Sequence, residues 1–463
     1  MLLRKESYYK NCATFHKKTS TLTFLFFIVV AIAFGWILHV KPPFMSPDEG
    51  AHLSRADALR SGNILLFSPD GKLNSGGYVD ESLNAFRASY DPFIRLHDAE
   101  KLNQTKRDMQ NLYWSGKSNF YSMANIAFYF PAIYIPQAVG LEIGHLLNLN
   151  VFSTYKLVSS LTLMVSLIVL LMAWKIHPIP VPALAVLLLP MSIFQFMSPT
   201  IDGLTFALTT LTLSLLVNLL NSQYDKVFIK KLITLAVCVF ILSSSRANLL
   251  PLIFLPLWLY IKTRKKICFI TFFITAALVL SWTYIAIKTV NDNGIHHPGI
   301  EQIDVLKHYI LHPFEVLAII TNTLTDYPIV NFYYQSFIGI FGWLDIPLSD
   351  FAYWGFGIFI YTIFIINLKK ASFNARKAEV SLLLLFFISI ITLTFCALLV
   401  QWSAFPTEKV DGVQGRYFII PFIILGYALQ DKPEYRKASH YALLIMAIIS
   451  VYLVHSALKA RYF

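Results

Sequence analysis

Two adjacent carboxylates follow the first apolar segment of the chain. Residues 41–52 read KPPFMSPDEGAH, which places Asp48 and Glu49 a few residues beyond the expected membrane surface, behind a stiff pair of prolines. Ser46 and Glu49 have the spacing of a capping box with proline at the first helical position, so the pattern predicts a helix that begins directly after Ser46. Asp48 would lie at the positive end of this helix, and His52 would follow one turn later on the same face. Asp48 is therefore a candidate catalytic carboxylate, and complementation of the helix dipole is the structural alternative.

A second motif combines glycines with an arginine. Residues 408–417 read EKVDGVQGRY, and the glycines on either side of Gln414 allow a close approach of the backbone. Arg416 presents a planar fork of donors that can bond two phosphate oxygens at once. The alternative is an arginine that anchors the chain at the membrane interface. Arg246, which ends a Ser-Ser-Ser-Arg turn, is a further candidate of the same kind.

Two more carboxylates are candidates for binding a substrate. Asp202 follows a Ser-Pro-Thr turn at the start of an apolar segment, where capping of a helix is the commoner role. Asp345 ends a Gly-Trp-Leu-Asp stretch, whose composition suits either a pocket lining or an interfacial segment. The adjacent pair His296 and His297 is a weak metal candidate, because neighbouring residues in an extended loop point apart and no third ligand follows at a suitable spacing.

The composition indicates which elements must hold these side chains. The 463 residues are 56% hydrophobic and only 14% charged, and their mean hydropathy is +0.59. A soluble domain carries about 25% charged residues, so this chain has too little polar surface for water. Apolar runs of about twenty residues recur, which is the length that a helix needs to cross a bilayer. We therefore predict an all-α fold, a polytopic transmembrane helical bundle.

The formal net charge of +12 is explained by the same architecture. Lys and Arg collect in short runs between apolar segments, and the positive-inside rule places such runs in the cytoplasm. The excess positive charge therefore indicates membrane topology and not nucleic-acid binding. None of the four cysteines lies in a predicted outer loop, which excludes a disulfide framework.

The apolar segments predict twelve candidate spans. They are 22–40, 124–147, 155–174, 181–198, 202–220, 231–245, 248–262, 267–288, 353–369, 380–401, 416–430 and 440–457. If the basic runs are cytoplasmic, the number of crossings between residues 41 and 221 must be odd, so one of the four candidates there does not cross. The segment that fails to cross is expected to be either 124–147 or 181–198, which leaves about eleven crossings, with a range of about 10–12.

This topology divides the chain at the membrane surface. The predicted parts are a cytoplasmic basic tail at 1–21, a first transmembrane helix at 22–40, an outer loop at 41–123 with a juxtamembrane helix and the acidic pair, a transmembrane bundle at 124–288, a second outer loop at 289–352, and C-terminal helices at 353–463 that enclose an outer loop at 402–415. The N-terminus is then cytoplasmic, and the tight turns at 198–202 and 243–248, which contain Asp202 and Arg246, are predicted on the outer side. Because long structured loops are usually functional, the outer face is the expected working face.

Three motifs together resemble a known family. The stretches PPFMSPDEGAH at 42–52, GWLD at 342–345 and GVQGRYF at 412–418 resemble a bacterial family of multi-spanning membrane proteins long catalogued as of unknown function, which is similar in layout to the GT-C glycosyltransferases. The resemblance implies eight to thirteen membrane helices, a polyprenyl-phosphate sugar as donor, and a catalytic acidic residue in the first outer loop. By this resemblance, Asp48 matches that catalytic position, Glu49 its neighbour, and Arg416 a candidate phosphate ligand. The chain's length and two large outer loops also resemble the serotype-converting O-antigen glucosyltransferases.

The resemblance and the chemistry of such a transfer give the residues their expected roles. An acceptor hydroxyl must lose its proton, for which Asp48 is the expected base, and single displacement inverts the sugar. The polyprenyl (undecaprenyl) phosphate leaves as an anion that Arg416 stabilises, alone or with a divalent cation, Mg²⁺ or Mn²⁺, held by Asp48 and Glu49. The expected supporting residues for substrate and phosphate binding are Gln414, Arg246, His52, Asp202 and Asp345.

The resemblance also implies partners and a location. The protein is expected in the bacterial inner membrane, with its active site on the periplasmic face. There it would transfer a hexose, glucose in the narrower resemblance, to a surface glycan such as the O-antigen of lipopolysaccharide. A flippase and a polyprenyl-phosphate sugar synthase would act upstream. The sugar, the acceptor, the linkage and the oligomeric state stay open.

Two other functions are compatible with the same sequence. A flippase or transporter of a lipid-linked glycan would carry charged residues at the bilayer midplane, where this sequence has almost none. An O-antigen polymerase or ligase would depend on several outer-loop arginines, such as Arg87 and Arg95, and not on an acidic base. Comparing alanine variants of these arginines with Asp48→Asn would separate the enzyme classes.

Overall fold

Helices dominate the described part of the chain. The computed structural model describes residues 35–36, 40–70, 74–291, 300, 302–370, 373–429 and 437–463. The predicted basic tail at 1–21 and most of the predicted first span at 22–40 lie outside these residues. Strands in the described residues are few and short, which confirms the all-α class.

The chain between residues 41 and 150 forms a folded unit of helices and one hairpin. Its main elements are α1 (Glu49–Arg60), β1 (Gly76–Asp80), α2 (Glu81–Tyr90), α3 (Ala99–Met109), β2 (Ser118–Ser122) and α4 (Ile135–Leu146). β1 and β2 pair antiparallel, and the Asp57 carboxylate on α1 accepts the backbone N–H of Asp80 at 2.8 Å. Leu53 of α1 and Phe86 of α2 are buried in one apolar core. The helix that follows the acidic pair is therefore an interior helix.

The central part of the chain contains long apolar helices. They are α5 (Val151–Ile176), α6 (Val181–Leu187), α7 (Pro190–Phe196), α8 (Asp202–Leu220), α9 (Lys226–Ser245), α10 (Leu255–Thr263) and α11 (Lys266–Thr289). A 3₁₀ helix at Ala247–Phe254 leads into α10. α8 packs against α5 and α9, and nearly all of its side chains are buried. It is the central helix of the bundle.

The remaining elements complete the bundle and the second predicted outer loop. They are α12 (Gln302–Leu311), α13 (Pro313–Thr325), α14 (Tyr327–Ile338), β3 (Ile340–Phe341), β4 (Ile346–Pro347), α15 (Asp350–Lys370), α16 (Phe373–Gln401), α17 (Ile419–Ala428) and α18 (Lys437–Tyr462). A 3₁₀ turn at Gly415–Phe418 precedes α17. β3 and β4 form a short antiparallel hairpin.

Seven of the described helices are long and apolar enough to cross a bilayer, namely α5, α8, α9, α11, α15, α16 and α18. The apolar segments Ala247–Thr263 and Gly415–Ala428 are shorter. The prediction of a multi-pass helical bundle is confirmed. The count of about eleven crossings, each of about twenty apolar residues, stays a prediction.

Two predicted spans are interrupted. The segment 181–198 splits into α6 and α7, because Pro190 has no N–H with which to continue the first helix. In the segment 124–147, short 3₁₀ turns precede α4, whose 12 residues are too few to cross a bilayer. Both segments, and not one of the two, are therefore missing from the seven long apolar helices.

The capping box predicted at the start of α1 is wrong. The helix begins at Glu49, because the backbone of Asp48 is left-handed with φ of 64°. The Glu49 carboxylate does not turn back to Ser46: it accepts the N–H of Phe44 at 3.0 Å and binds the Lys41 amine at 2.5 Å. Asp48 takes the N-cap position, and its side chain makes no capping hydrogen bond. The Asp48 carboxylate is left for a contact elsewhere.

The end of α18 lies beside both predicted outer loops. Arg461 donates to the Asp345 carboxylate at 3.1 Å and to the backbone carbonyl of Leu96 at 3.2 Å. The loops at 41–123 and 289–352 and this end of α18 therefore occupy one side of the bundle.

Candidate active site

Four charged side chains from distant parts of the chain meet in one cluster, which we call the acid–arginine cluster: Asp48, Asp202, Arg246 and Arg416. Arg416 donates from Nη2 to Asp48 at 2.7 Å and from Nη1 to Asp202 at 3.4 Å. Arg246 forms a short ion pair with Asp202. Two carboxylates balance two guanidinium groups, so the cluster carries no formal net charge.

Asp48 is the only member of the cluster whose side chain is substantially exposed to solvent. The side chains of Arg416, Asp202 and Arg246 are 4%, 5% and 14% exposed, whereas that of Asp48 is 41% exposed. Burial of an ion costs several kcal/mol unless a partner of opposite charge compensates it, which accounts for the pairing of the three inner groups. Asp48 is therefore the member through which a solute can reach the cluster.

The helix ends bring the inner members together. Asp202 is the first residue of α8, and Arg246 directly follows α9, which returns along α8 to the same end of the bundle. Arg416 lies on the 3₁₀ turn before α17. Gly415 allows this turn to lie against α14, because a Cβ atom there would come within 2.0 Å of the backbone nitrogen of Phe337. The sequence predicted both Asp202 and Arg246 on the outer side, and the structure shows that they are partners.

The Gly-Trp-Leu-Asp motif supports the segment that carries Asp48. Trp343 donates from its indole nitrogen to the backbone carbonyl of Phe44 at 2.9 Å. The Asp345 carboxylate accepts the backbone N–H of Trp343 at 2.9 Å and pairs with Arg461. Asp345, predicted as a substrate ligand, is thus placed outside the acid–arginine cluster, in the turn that holds Trp343.

Backbone strain is concentrated where the Trp343 turn contacts the segment that carries Asp48. Phe44, Asp48 and Leu344 have φ values of 62°, 64° and 64°, in the left-handed region that residues with a Cβ atom rarely adopt. Such conformations cost about 1–3 kcal/mol each and persist where the surrounding structure enforces them, often at functional sites. The two motifs that meet here therefore fix the position of Asp48 at an energetic cost.

Glu49 belongs to a different network from its neighbour Asp48. Its carboxylate binds Lys41 and accepts hydrogen bonds from the Phe44 N–H and the Tyr155 hydroxyl. All of these groups are buried, and burial lowers the pKa of Lys41. The carboxylates of Asp48 and Glu49 are therefore engaged by separate cations, and they do not converge on a shared site for Mg²⁺ or Mn²⁺.

His52 lies next to the cluster as a neutral side chain. Its Nδ1 atom is 2.8 Å from the Tyr134 hydroxyl. Burial lowers the pKa of His52 to about 4, an effect that the nearby carboxylates of Asp48 and Asp202 only partly oppose. Tyr129 stacks on the imidazole with a centroid distance of 6.4 Å. Both tyrosines lie in an aromatic-rich stretch at 119–134, whose composition suits either stacking on sugar rings or packing at the membrane interface, and no local pattern in it indicates a contact with His52.

Several buried polar atoms in the same segments have no hydrogen-bond partner among the described residues. They include Arg246 Nε, Arg416 Nε, Ser244 Oγ, Ser245 Oγ and Gln414 Oε1. Buried polar groups in native proteins are nearly always hydrogen-bonded, to protein, water or a ligand. Arg246 and Arg416 therefore each retain a buried Nε donor that no described group accepts.

Apolar helices of membrane-spanning length around a buried polar cluster define a multi-pass α-helical membrane protein. The family model described as "Predicted membrane protein (DUF2142)" matches residues 26–425, and the chain belongs to this family. The matched region contains all four members of the acid–arginine cluster. No curated protein matches the chain.

Proposed function

We propose that the protein is a membrane glycosyltransferase that moves a sugar from a polyprenyl phosphate to the hydroxyl of a glycan acceptor. The observation that carries this proposal is the contact between the exposed carboxylate of Asp48 and the buried guanidinium of Arg416. A carboxylate can act as base, and an arginine can bind a phosphate leaving group; the transfer needs both within one site.

The arrangement suggests an order of events. A phosphate oxygen of the donor replaces the Asp48 carboxylate at Arg416, which releases Asp48 to face the acceptor. The acceptor oxygen attacks the anomeric carbon while Asp48 takes the hydroxyl proton, and the bond from that carbon to the phosphate oxygen breaks. The polyprenyl phosphate leaves as an anion, and the anomeric configuration is inverted. No step is assigned to a metal ion.

The other members have positioning roles in this proposal. Asp202 holds Arg246 and Arg416 by ion pairs, so both guanidinium groups stay charged and oriented before the donor arrives. Glu49 and Trp343 fix the strained segment that presents Asp48. His52, beside the cluster, and Gln414, two residues before Arg416, are proposed to contact the sugar or the phosphate.

The finer features of the proposal concern place and substrate. We place the site on the periplasmic face of a bacterial inner membrane, with the N-terminus in the cytoplasm and about eleven crossings. The donor is an undecaprenyl-phosphate hexose, and the acceptor is a surface glycan such as O-antigen. Both large outer loops, at 41–123 and 289–352, are available to shape the acceptor site.

Sugar transfer in membrane vesicles tests the proposal. The assay supplies a radiolabelled polyprenyl-phosphate hexose and follows label in glycan. Asp48→Asn should lower turnover by about 100-fold or more, the usual contribution of a positioned base. Asparagine tolerates the left-handed backbone at this position, so the variant removes the charge without adding strain.

The matched control is Asp91→Asn. Asp91 is a carboxylate of the same outer segment with a similar exposed fraction of 48%, and its nearest cation is Arg87 at 3.8 Å. This variant should retain full turnover. Near wild-type turnover of Asp48→Asn at normal expression would remove the central claim. Movement of lipid-linked label across the bilayer without a new glycosidic bond would favour a flippase instead.

A further inference from the structure

A cluster of two histidines and one glutamate lies in the second predicted outer loop, at the corner between α12 and α13. It consists of His308, His312 and Glu315, and one ligand atom of each lies within 4.8 Å of the others. Neither the acid–arginine cluster nor the proposed transfer uses these residues. We propose that this corner is a binding site for a transition-metal ion, most suitably Zn²⁺.

The spacing of the histidines suits a zinc site. His308 and His312 are separated by one helical turn, and the N–H of His312 donates to the carbonyl of His308 at 2.9 Å. His308 lies in the last turn of α12, and His312 is the N-cap residue of α13, so the pair spans the corner and does not lie within one helix. The backbone hydrogen bond nevertheless keeps the two side chains on the same side of this corner. Their rings already lie together, with centroids 4.3 Å apart. A modest rotation of the rings would direct one nitrogen of each toward a shared ion.

Hydrogen bonds orient all three ligands. His312 Nδ1 is 2.8 Å from the backbone carbonyl of His308, a contact in which that nitrogen must carry the proton. Its Nε2 atom is therefore left as the free lone pair that a metal requires. His308 Nε2 is 2.9 Å from the Glu315 carboxylate, so an ion that replaces the proton between them finds both ligands in place.

The donor set selects the class of ion. Two imidazoles and one carboxylate match Zn²⁺, whose ligand bonds are about 2.0–2.2 Å, and leave a fourth position for water. Mg²⁺ and Ca²⁺ prefer sites made only of oxygen atoms. All three residues are at least partly exposed, so an ion can enter from solution.

The site would also brace a neighbouring loop. The ring of Phe405, from the predicted outer loop at 402–415, packs edge-on against His308 with centroids 5.1 Å apart. The same loop is bound to α13 by a hydrogen bond from the Val410 N–H to Thr323 at 2.8 Å. Because this loop leads to Arg416, an ion at the α12–α13 corner would stiffen one support of the acid–arginine cluster.

Zinc titration of the full-length protein tests the proposal. The protein is purified in detergent through a tag without histidine, stripped with a chelator, and titrated with ZnCl₂ while bound zinc per chain and the midpoint of thermal unfolding are measured. One Zn²⁺ per chain should bind and raise the midpoint, and a 100-fold excess of Mg²⁺ should not displace it.

Variants locate the bound ion. His312→Gln and Glu315→Gln should each weaken zinc binding by at least about 10-fold. Both side chains are exposed, so the zinc-free variants should unfold at the wild-type midpoint. The control is His97→Gln, which removes an exposed histidine of the first outer segment and should leave zinc binding unchanged. If both ligand variants bind zinc as tightly as the wild type, the proposal is overturned.

Discussion

The buried ion pair beside the proposed base offers a quantitative test of the architecture. Glu49 and Lys41 approach to 2.5 Å with side chains 0% and 1% exposed. Glu49→Gln removes one charge of the pair. The glutamine Oε1 can still accept the Phe44 N–H and the Tyr155 hydroxyl, while its NH₂ group replaces the oxygen that binds Lys41.

The size of the effect follows from what each variant leaves behind. Glu49→Gln leaves a buried ammonium without its partner, which costs about 3–5 kcal/mol of the free energy of unfolding. Lys41→Met leaves a carboxylate that keeps two hydrogen-bond donors, so we expect a smaller loss of about 2–3 kcal/mol. The double variant contains no buried charge, so its loss should fall short of the sum by about 2 kcal/mol or more.

The pKa of Lys41 adds a pH signature. Burial lowers this pKa in the folded protein, and Glu49 opposes the shift. Without Glu49, the unfolded chain binds a proton at Lys41 more tightly than the folded chain does, so the stability of Glu49→Gln should increase as the pH rises above neutrality. The double variant lacks the amine and should not show this increase.

Unfolding in mixed micelles, followed by tryptophan fluorescence as the denaturing detergent is increased, measures these free energies. The control is the exposed pair of Lys307 and Asp304 at 2.9 Å, whose coupling should be below about 1 kcal/mol. If the coupling between Lys41 and Glu49 is no larger than that of the exposed pair, the buried network does not fix the Asp48 segment.

Three further predictions concern the surroundings of the cluster. Folding lowers the pKa of His52 from 6.5 to about 4, so on acidification the unfolded chain takes up a proton before the folded chain does. The free energy of unfolding should therefore fall by about 3 kcal/mol between these two pH values. Unfolding titrations at several pH values should show a weaker pH dependence for His52→Gln. Trp343→Phe removes the hydrogen bond to Phe44 and should cost about 1 kcal/mol in the same assay, with a larger relative loss of sugar transfer. Gly415→Ala should lower the free energy of unfolding by about 3 kcal/mol or more, because the new Cβ atom would collide with the backbone of α14. The control, Gly355→Ala in α15, places its Cβ atom in open space and should be neutral or slightly stabilising. Equal unfolding midpoints for the two variants would contradict the close approach at Gly415.

Local chemistry accounts for what the sequence predicted well. α8 begins at Asp202 and ends at Leu220, as its apolar run and flanking turns indicate. The break of the helix at Pro190 also has a local cause, but the continuous hydrophobicity of 181–198 led to the prediction of one uninterrupted span. The start of α1 was missed because the capping pattern at Ser46 competes with a long-range contact, the binding of Glu49 to Lys41 and Tyr155.

The cluster itself depends on contacts that no local pattern contains. Asp202 and Arg246 lie 44 residues apart, and Arg416 and Asp48 lie 368 residues apart. The predicted topology places all four on the same side of the membrane but does not indicate which of them form pairs. The role of Asp345 as a support for Trp343 depends on Arg461, which lies outside the three motifs.

The contact of Arg461 with the first outer segment and with Asp345 also determines when the site can be completed during synthesis. Asp48 is synthesised early, whereas Arg461, which binds Asp345 in the Trp343 turn, is synthesised after Asp48, Trp343 and Arg416. A nascent chain that ends before α18 therefore lacks the ion pair between Arg461 and Asp345. The Trp343 turn, and with it the segment that carries Asp48, therefore gains the support of Arg461 only after α18 has been synthesised.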